Sequence, residues 1–192
     1  MFKKFVMSLF VACLLIAAPK ADAHSSIDNL RAAAEKGDVE AQFKLGFLYS
    51  RDADSQSQDY EEAAKWYRKA AEQGHYGAQF SLGSFYAKGL GVRQDYGEAV
   101  KLFGKAAVQG HPLAAVHLGI LHYKGLGSSR NFEEAYFWLR LSASQDPHVV
   151  GYRDGAQQKL TPSQLAKAEK RLHEWRYKPA AREDAEGQYR LG

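Results

Sequence analysis

This 192-residue chain contains seven histidines, which are the first candidates for catalysis or metal binding. His75 and His111 precede corresponding segments of the sequence, which indicates a turn or helix-cap role rather than catalysis. His117 and His122 are five residues apart, so they do not lie side by side on a helix as two metal ligands would. We therefore predict no metal site and no cofactor.

Acidic side chains also recur at a spacing that could support general acid and base chemistry. Three N-cap oxygens each stand three residues before a carboxylate, in the pairs Asp59 with Glu62, Asp95 with Glu98, and Asn131 with Glu134. The same spacing forms a capping box, and its recurrence favours helix capping. The chain has no Ser-x-x-Lys, no His-Glu-x-x-His and no nucleophile elbow, so we predict a non-catalytic protein.

These side chains belong to a repeat. Leu-Gly pairs begin at Leu45, Leu82 and Leu118, spaced 37 and then 36 residues apart, and glycines with the same spacing stand at 37, 74 and 110. A fixed period of this size indicates stacked helical hairpins. The fold class predicted is all-α, a solenoid of antiparallel helix pairs.

Each unit is predicted to contain two helices. The first helices run from about Val39 to Ser50, Tyr76 to Lys88 and Pro112 to Lys124. Glycine after the leucine costs a helix roughly 1 kcal/mol, so its repetition predicts close approach of a neighbouring helix. The second helices start at the acidic caps and place bulky residues in the core, among them Trp66, Leu102 and Trp138.

The first helices of the later units end in glycine-rich loops, 88–91 and 124–127, where the backbone needs positive φ. No strand precedes these loops and no Lys-Ser/Thr follows them, which excludes a phosphate-binding loop.

The predicted organisation follows the repeat from end to end. A half-unit covers the first complete hairpin, and two helices after Pro147 cover the last, because a solenoid needs caps. The segment after Pro179 has little apolar content. The predicted parts are a signal peptide (1–23), a capping helix (24–37), three units (38–73, 74–109 and 110–146), C-terminal capping helices (147–178) and a mobile tail (179–192).

Residues 1–23 have the pattern of an export signal. Two lysines precede an apolar run at 5–18, and small residues precede a cleavage point after Ala23. The run is shorter than the roughly 20 residues that a membrane-spanning helix needs, so no integral membrane segment is expected after cleavage. The predicted location is periplasmic or secreted. Cleavage would leave His24 at the N-terminus, where its amine and imidazole could chelate copper.

Charge gives little reason to expect nucleic acid as a ligand. The formal charge is +4, and removal of 1–23, with three lysines and one aspartate, lowers it to +2. The single cysteine, Cys13, lies in the apolar run, so the mature chain would have none and its stability would rest on packing.

The motif Ala-x-x-x-Leu-Gly-x-x-Tyr, then Lys-Gly-x-Gly-Val, Asp-Tyr-x-x-Ala and Lys-Ala-Ala-x-x-Gly, resembles the Sel-one-like repeat (SLR) family, which is related to tetratricopeptide repeats. The match in the central unit rests on Gly83, Tyr86, Gly89, Gly91, Val92, Asp95, Ala99, Ala106, Ala107 and Gly110. The first unit departs in its loop, 51–58, which lacks both glycines. In the third unit Ser128 replaces the valine and His122 replaces the tyrosine.

The resemblance implies a right-handed superhelix that binds proteins or peptides, and its exported bacterial members act as adaptors in the cell envelope or outside the cell. By analogy with tetratricopeptide grooves, the first helices would line the concave surface. The predicted partner-binding residues are Phe43, Phe47, Arg51, Phe80, Ser84, Lys88, Val116, Ile120, Tyr123 and Lys124.

The hypothesis is an apolar groove edged by three cations, which would suit a peptide with apolar anchors and an acidic group. In the opposing interpretation, the aromatic residues complete the core and the cations are only solvated.

One catalytic alternative also comes from the resemblance. Some exported, cysteine-rich members of the family are associated with binding or weak hydrolysis of penicillins. This chain lacks their paired cysteines, so a penicillin-binding or weakly β-lactam-hydrolysing periplasmic protein is carried as the alternative to a scaffold.

Overall fold

The computed structural model describes residues 20–51, 59–144, 146–177 and Tyr189. Over these residues the chain forms helices and no strand, which confirms the predicted all-α class. The helices are α1 (Lys20–Glu35), α2 (Val39–Arg51), α3 (Tyr60–Glu72), α4 (Tyr76–Lys88), α5 (Tyr96–Val108), α6 (Pro112–Lys124), α7 (Phe132–Leu141), α8 (Pro147–Gln157) and α9 (Pro162–Tyr177). Consecutive helices pack against each other as antiparallel pairs from α1 to α8, so the units stack in chain order.

The second helix of each unit begins at the predicted cap. Asp59, Asp95 and Asn131 are the N-caps of α3, α5 and α7, and each side chain accepts a hydrogen bond from a backbone N–H of the first turn. The paired glutamates bond elsewhere: Glu62 accepts from Lys65 and Glu98 from Lys101. Each capping box therefore contributes its first hydrogen bond, while the carboxylates of the first two units form i, i+3 ion pairs and Glu134 accepts from Trp138.

Inside each unit, the glycine after the motif leucine admits a side chain of the second helix. A Cβ on Gly46 would lie 2.6 Å from the Tyr67 ring, and a Cβ on Gly119 would lie 2.6 Å from Leu139. At Gly83 the corresponding distance, to the Phe103 ring, is 3.0 Å. The predicted close approach is confirmed, and the packing across the pair offsets the helix-propensity cost of glycine.

Between units, the contact is backbone against backbone. Gly91, in the loop after α4, has φ +61°, and a Cβ there would overlap the backbone of Tyr60 at the start of α3. Gly127 repeats the arrangement with φ +77° against Tyr96 at the start of α5. Each glycine-rich loop thus rests on the second helix of the preceding unit, which fixes the register between neighbours.

Buried glutamines join the two helices of a unit and also link that unit to the one before it. Gln42, 4% exposed, donates to the carbonyl of Ala34 and accepts from Gln73 at 2.8 Å. One unit later, Gln109 donates to Gln79 at the same distance. These bonds satisfy amide groups that would otherwise be buried without partners.

The core runs along the whole stack, as expected of a solenoid. Trp66 and Trp138 are buried, as predicted. At the C-terminal end α8 and α9 both pack on α7, and α9 does so through Ala168 and Leu172.

At the N-terminal end, α1 begins at Lys20, earlier than the capping helix predicted at 24–37, and its backbone passes the predicted cleavage point. Most of the predicted signal peptide, 1–19, lies outside the described residues, as does the loop at 52–58. Over the described residues, no helix combines the length and the apolar character that crossing a membrane requires.

The predicted mobile tail, 179–192, also lies outside the described residues except for Tyr189. The Tyr189 side chain is 7% exposed and belongs to the same core cluster as Trp138 and Trp175. The chain is therefore held to the body of the protein at this residue.

The backbone contact between units predicts unequal costs for two glycine substitutions. Gly91→Ala combines left-handed strain with overlap on Tyr60, so it should lower the free energy of unfolding by about 3 kcal/mol or more. Gly110→Ala has φ +92° but open space around its Cβ, so strain alone should cost about 1 kcal/mol. Urea denaturation followed by circular dichroism measures both, and equal costs would contradict the proposed contact.

Candidate functional site

The candidate site is the first-helix surface, which we define as the accessible side of α2, α4 and α6. Of the ten predicted residues, four are exposed, five are half-buried and one is buried.

Two predicted aromatic residues pack between units. Phe43 stacks on His75 with ring centroids 4.4 Å apart, and Phe80 stacks on His111 at 4.3 Å. Each histidine is the N-cap of the following first helix, and its Nδ1 accepts from a backbone N–H, which confirms the predicted cap role. Phe43 and Phe80 are half-buried, and their rings serve mainly the junction with the next unit.

Two predicted residues of the third unit also face the interior. Val116 is 8% exposed and offers almost no surface to a partner. Tyr123 is half-buried and meets the rings of Phe132 and Tyr152 edge-to-face, at 5.5 and 5.2 Å. Fewer of the predicted residues are therefore accessible in the third unit than the sequence pattern predicts, because α8 packs beside α6.

The exposed members of the predicted set are Phe47 and the three cations Arg51, Lys88 and Lys124. Phe47 is 44% exposed, and the guanidinium of Arg51 lies 5.0 Å from its ring centroid. Lys88 and Lys124 are exposed at equivalent places, and the Nζ of Lys124 lies 5.4 Å from the ring centroid of Tyr152. Two further predicted residues, Ser84 and Ile120, are half-buried, and the Ser84 hydroxyl donates to the carbonyl of Phe80.

Each of the three cations is the last residue of its helix. Arg51 ends α2, Lys88 ends α4 and Lys124 ends α6, where the negative end of the helix dipole favours a positive charge. Over the part of the chain that the structure describes, none of them forms an ion pair with a carboxylate. Within the described residues, these three charges are therefore not neutralised by carboxylates.

Histidines line the interior side of the first helices. The ring of His117 lies between Phe80 and Phe103, with centroids 5.5 and 5.2 Å away. Burial lowers the pKa of His117, and the positive charge of Lys88 lowers it further. Burial likewise lowers the pKa of His111 and of His122. Among the described residues, no three His, Cys, Asp or Glu side chains are grouped so that they could hold a metal ion.

The sequence pattern did not predict two residues that contribute to this surface, Leu48 and Tyr152. Leu48 is 44% exposed, although its counterparts Phe85 and Leu121 are buried. The ring of Tyr67, in the preceding unit, covers Phe85 at 5.5 Å, but the half-unit α1 has the smaller Leu30 at the equivalent position. The incomplete unit was visible in the sequence and could have predicted this exposure.

Tyr152, the other residue missed, reaches the surface from α8, outside the three repeats, so the repeat pattern contained no signal for it.

Comparison with known proteins identifies the repeat. The family model of the Sel1 repeat matches residues 39–75, 77–111 and 112–147. The solved structure of a Sel1 repeat protein from Oxalobacter formigenes superposes with a TM-score of 0.58 at 34% identity, covering 68% of this chain and 98% of that one.

A second solved structure extends the similarity along the chain. It is c5321, described as a protective antigen present in uropathogenic Escherichia coli strains and displaying an SLR fold. It superposes with a TM-score of 0.57 at 26% identity, covering 91% of this chain and 45% of that one. The repeats of this chain thus match a solenoid more than twice as long.

A curated relative matches a shorter segment. The Sel1-repeat-containing protein YbeQ of Escherichia coli (strain K12) is 49% identical over 43 residues, which are 22% of this chain and 13% of YbeQ. The matched segment spans about one unit.

His117, on the interior side of the first helices, predicts a pH dependence of stability. Because its pKa is lowered on folding, the unfolded chain binds the proton more readily, so stability is complete above the ordinary value of 6.5 and is lost as the pH falls below it. His117→Gln should therefore reduce the loss of unfolding free energy between about pH 7.5 and pH 5.5. The exposed His148→Gln should leave the loss unchanged, and an unchanged loss in both variants would contradict the assignment.

Proposed function

The chain belongs to the Sel1 repeat family, and we propose on this basis that it is a non-catalytic scaffold that binds a protein or peptide on its first-helix surface. Sel1 repeats are typical of protein-interaction scaffolds, and a solenoid offers an extended surface rather than one enclosed pocket. The observation that carries the proposal is the row of three cations at equivalent helix ends, which are unpaired within the described residues.

The charges define the chemistry of the ligand. Cations repeated at one position of successive units favour a segment with acidic side chains or a carboxylate. Many other charges on the protein are already neutralised locally, as Lys101 is by Glu98 at 2.9 Å. On the first-helix surface, an acidic segment would meet cations that have no carboxylate partner among the described residues.

Apolar contacts are concentrated at one end of this surface. Phe47 is exposed beside Arg51, so the pair can present an apolar face and a charge together. In the third unit, Ile120 is half-buried and Tyr152 lies beneath Lys124. A ligand with an apolar residue next to an acidic one fits the first of these positions best.

The proposal includes export to the periplasm or beyond the cell. Its support is the charge pattern and apolar run of residues 1–23, together with small residues before the cleavage point after Ala23. The partner would then be a protein or peptide in the cell envelope or outside the cell. Such a location leaves the ligand chemistry argued above unchanged.

Reversal of the three cations tests the binding surface. The variant Arg51→Glu, Lys88→Glu and Lys124→Glu should capture the natural partner from envelope extracts at least roughly tenfold less well than the unmodified mature chain. The reason is that three favourable charge contacts become repulsive. Quantitative mass spectrometry of the captured proteins gives the measurement, and circular dichroism checks that helicity is retained.

A matched control changes the net charge equally at a different place. Lys36→Glu, Lys159→Glu and Lys170→Glu alter three exposed lysines away from the first-helix surface and should leave capture unchanged. Equal losses in both variants, or none in the first, would reject the surface. Turnover of a chromogenic β-lactam by the purified chain would reject the non-catalytic assignment in favour of the alternative.

A further inference from the structure

An arginine–tyrosine hydrogen bond joins neighbouring units at two junctions of the stack, and the next junction lacks it. Arg31 donates to the Tyr49 hydroxyl at 3.2 Å, and one unit later Arg68 donates to Tyr86 at 3.1 Å. In both cases an arginine of a second helix meets a tyrosine of the following first helix, 18 residues further on. The equivalent residues at the junction of the second and third units are Gly104 and His122, so both partners of the hydrogen bond are replaced at once.

The space left by the missing arginine is filled by a distant residue. A Cβ on Gly104 would overlap the ring of Tyr189, so only glycine admits this ring. Trp138 lies on another side of the ring, 6.0 Å from Tyr189 between ring centroids, and Trp175 packs on Trp138 at 5.5 Å in the same core cluster. We call this space, bounded by Gly104, Trp138 and Trp175, the Gly104 pocket.

The pocket has a charged, hydrogen-bonded border. Glu134 accepts from the indole Nε1 of Trp138 at 3.0 Å and from Arg171. Burial raises the pKa of Tyr189, and the nearby negative charge of Glu134 raises it further, so the phenol stays neutral. An aromatic ring with a neutral polar tip suits these surroundings.

His122 adds an unsatisfied polar atom to the same cluster. It is 8% exposed, its Nδ1 lies 3.3 Å from the Ser128 hydroxyl, and its buried Nε2 has no hydrogen-bond partner within the described part of the chain. It is influenced electrostatically by Glu134 and Arg171, as Tyr189 is. A buried nitrogen without a partner is costly, and no described residue satisfies this one.

We propose that the Gly104 pocket is a binding site for one aromatic side chain of a peptide, and that Tyr189 occupies it as an internal ligand. The pocket exists because Gly104 and His122 replace the arginine and the tyrosine of the other units. Its occupant, Tyr189, lies twelve residues after the end of α9 in the sequence. Because Tyr189 belongs to the same chain as the pocket, its binding is intramolecular, so a free peptide competes poorly until the tyrosine is removed. The site lies apart from the first-helix surface and does not depend on the function proposed for it.

Peptide binding to the full chain tests the proposal. The probe is a fluorescently labelled synthetic peptide with the sequence of residues 184–192, DAEGQYRLG, measured by fluorescence anisotropy. The variant Tyr189→Ala should bind it saturably, at least roughly tenfold more tightly than the wild-type chain does, because the internal competitor is gone. The same peptide with alanine in place of tyrosine should not bind.

A matched variant removes the pocket while following the pattern of the other units. Gly104→Arg with His122→Tyr rebuilds the arginine–tyrosine pair seen twice in this chain. Added to Tyr189→Ala, these changes should abolish peptide binding. Absence of binding to Tyr189→Ala when its thermal unfolding remains cooperative, or binding that persists after the pocket is filled, would overturn the proposal.

A second measurement decides the matter if Tyr189→Ala fails to fold. Tetranitromethane nitrates accessible tyrosines, and mass mapping locates the products. Tyr189 should be protected in the wild-type chain and react at least roughly tenfold faster after Gly104→Arg with His122→Tyr, because the pocket that buries it is lost. Tyr76, which is 51% exposed, is the internal control. Reaction of Tyr189 at the rate of Tyr76 in the wild-type chain would overturn the proposal.

Discussion

The close approach permitted by glycine is the constraint on which the rest of the structure depends. Within a unit, Gly46 receives the ring of Tyr67; between units, Gly91 lies on the backbone of Tyr60. The first contact fixes the two helices of a pair, and the second fixes one pair on the next. Because both are steric, they tolerate little displacement, and the stack acquires a defined register without cysteines in the described residues.

The periodic part of this architecture could be predicted from the sequence, since helix bounds, caps and glycine contacts all follow from local rules. The caps at Asp59 and Asp95 and the bounds of α4 are examples. The packing of Phe43 could not be predicted in the same way. Helical spacing places its side chain toward the groove, but the histidine that covers it belongs to the next unit. Pairing of side chains across units depends on the superhelix, which a linear pattern does not specify.

Departures from the repeat distinguish one place on this protein from another. Gly104 stands where the N-terminal half-unit and the first unit have arginine, and Tyr189, which lies outside the repeats, fills the space. The exposed Leu48 arises in the same manner, from a half-unit that is too small to cover it. Packing alone would keep equivalent positions of the repeats similar. Positions that differ between units are therefore the first candidates for a function.

Deletion of residues 75–110, a single unit, tests most directly whether contacts between neighbours carry the fold. The junction places His111 after Gly74, so His111 can stack on Phe43 as His75 does, and Gly127 can rest on Tyr60. Circular dichroism with thermal unfolding should show a shorter helical protein that melts cooperatively at a lower temperature. A chain without helical signal or without a cooperative transition would contradict the account.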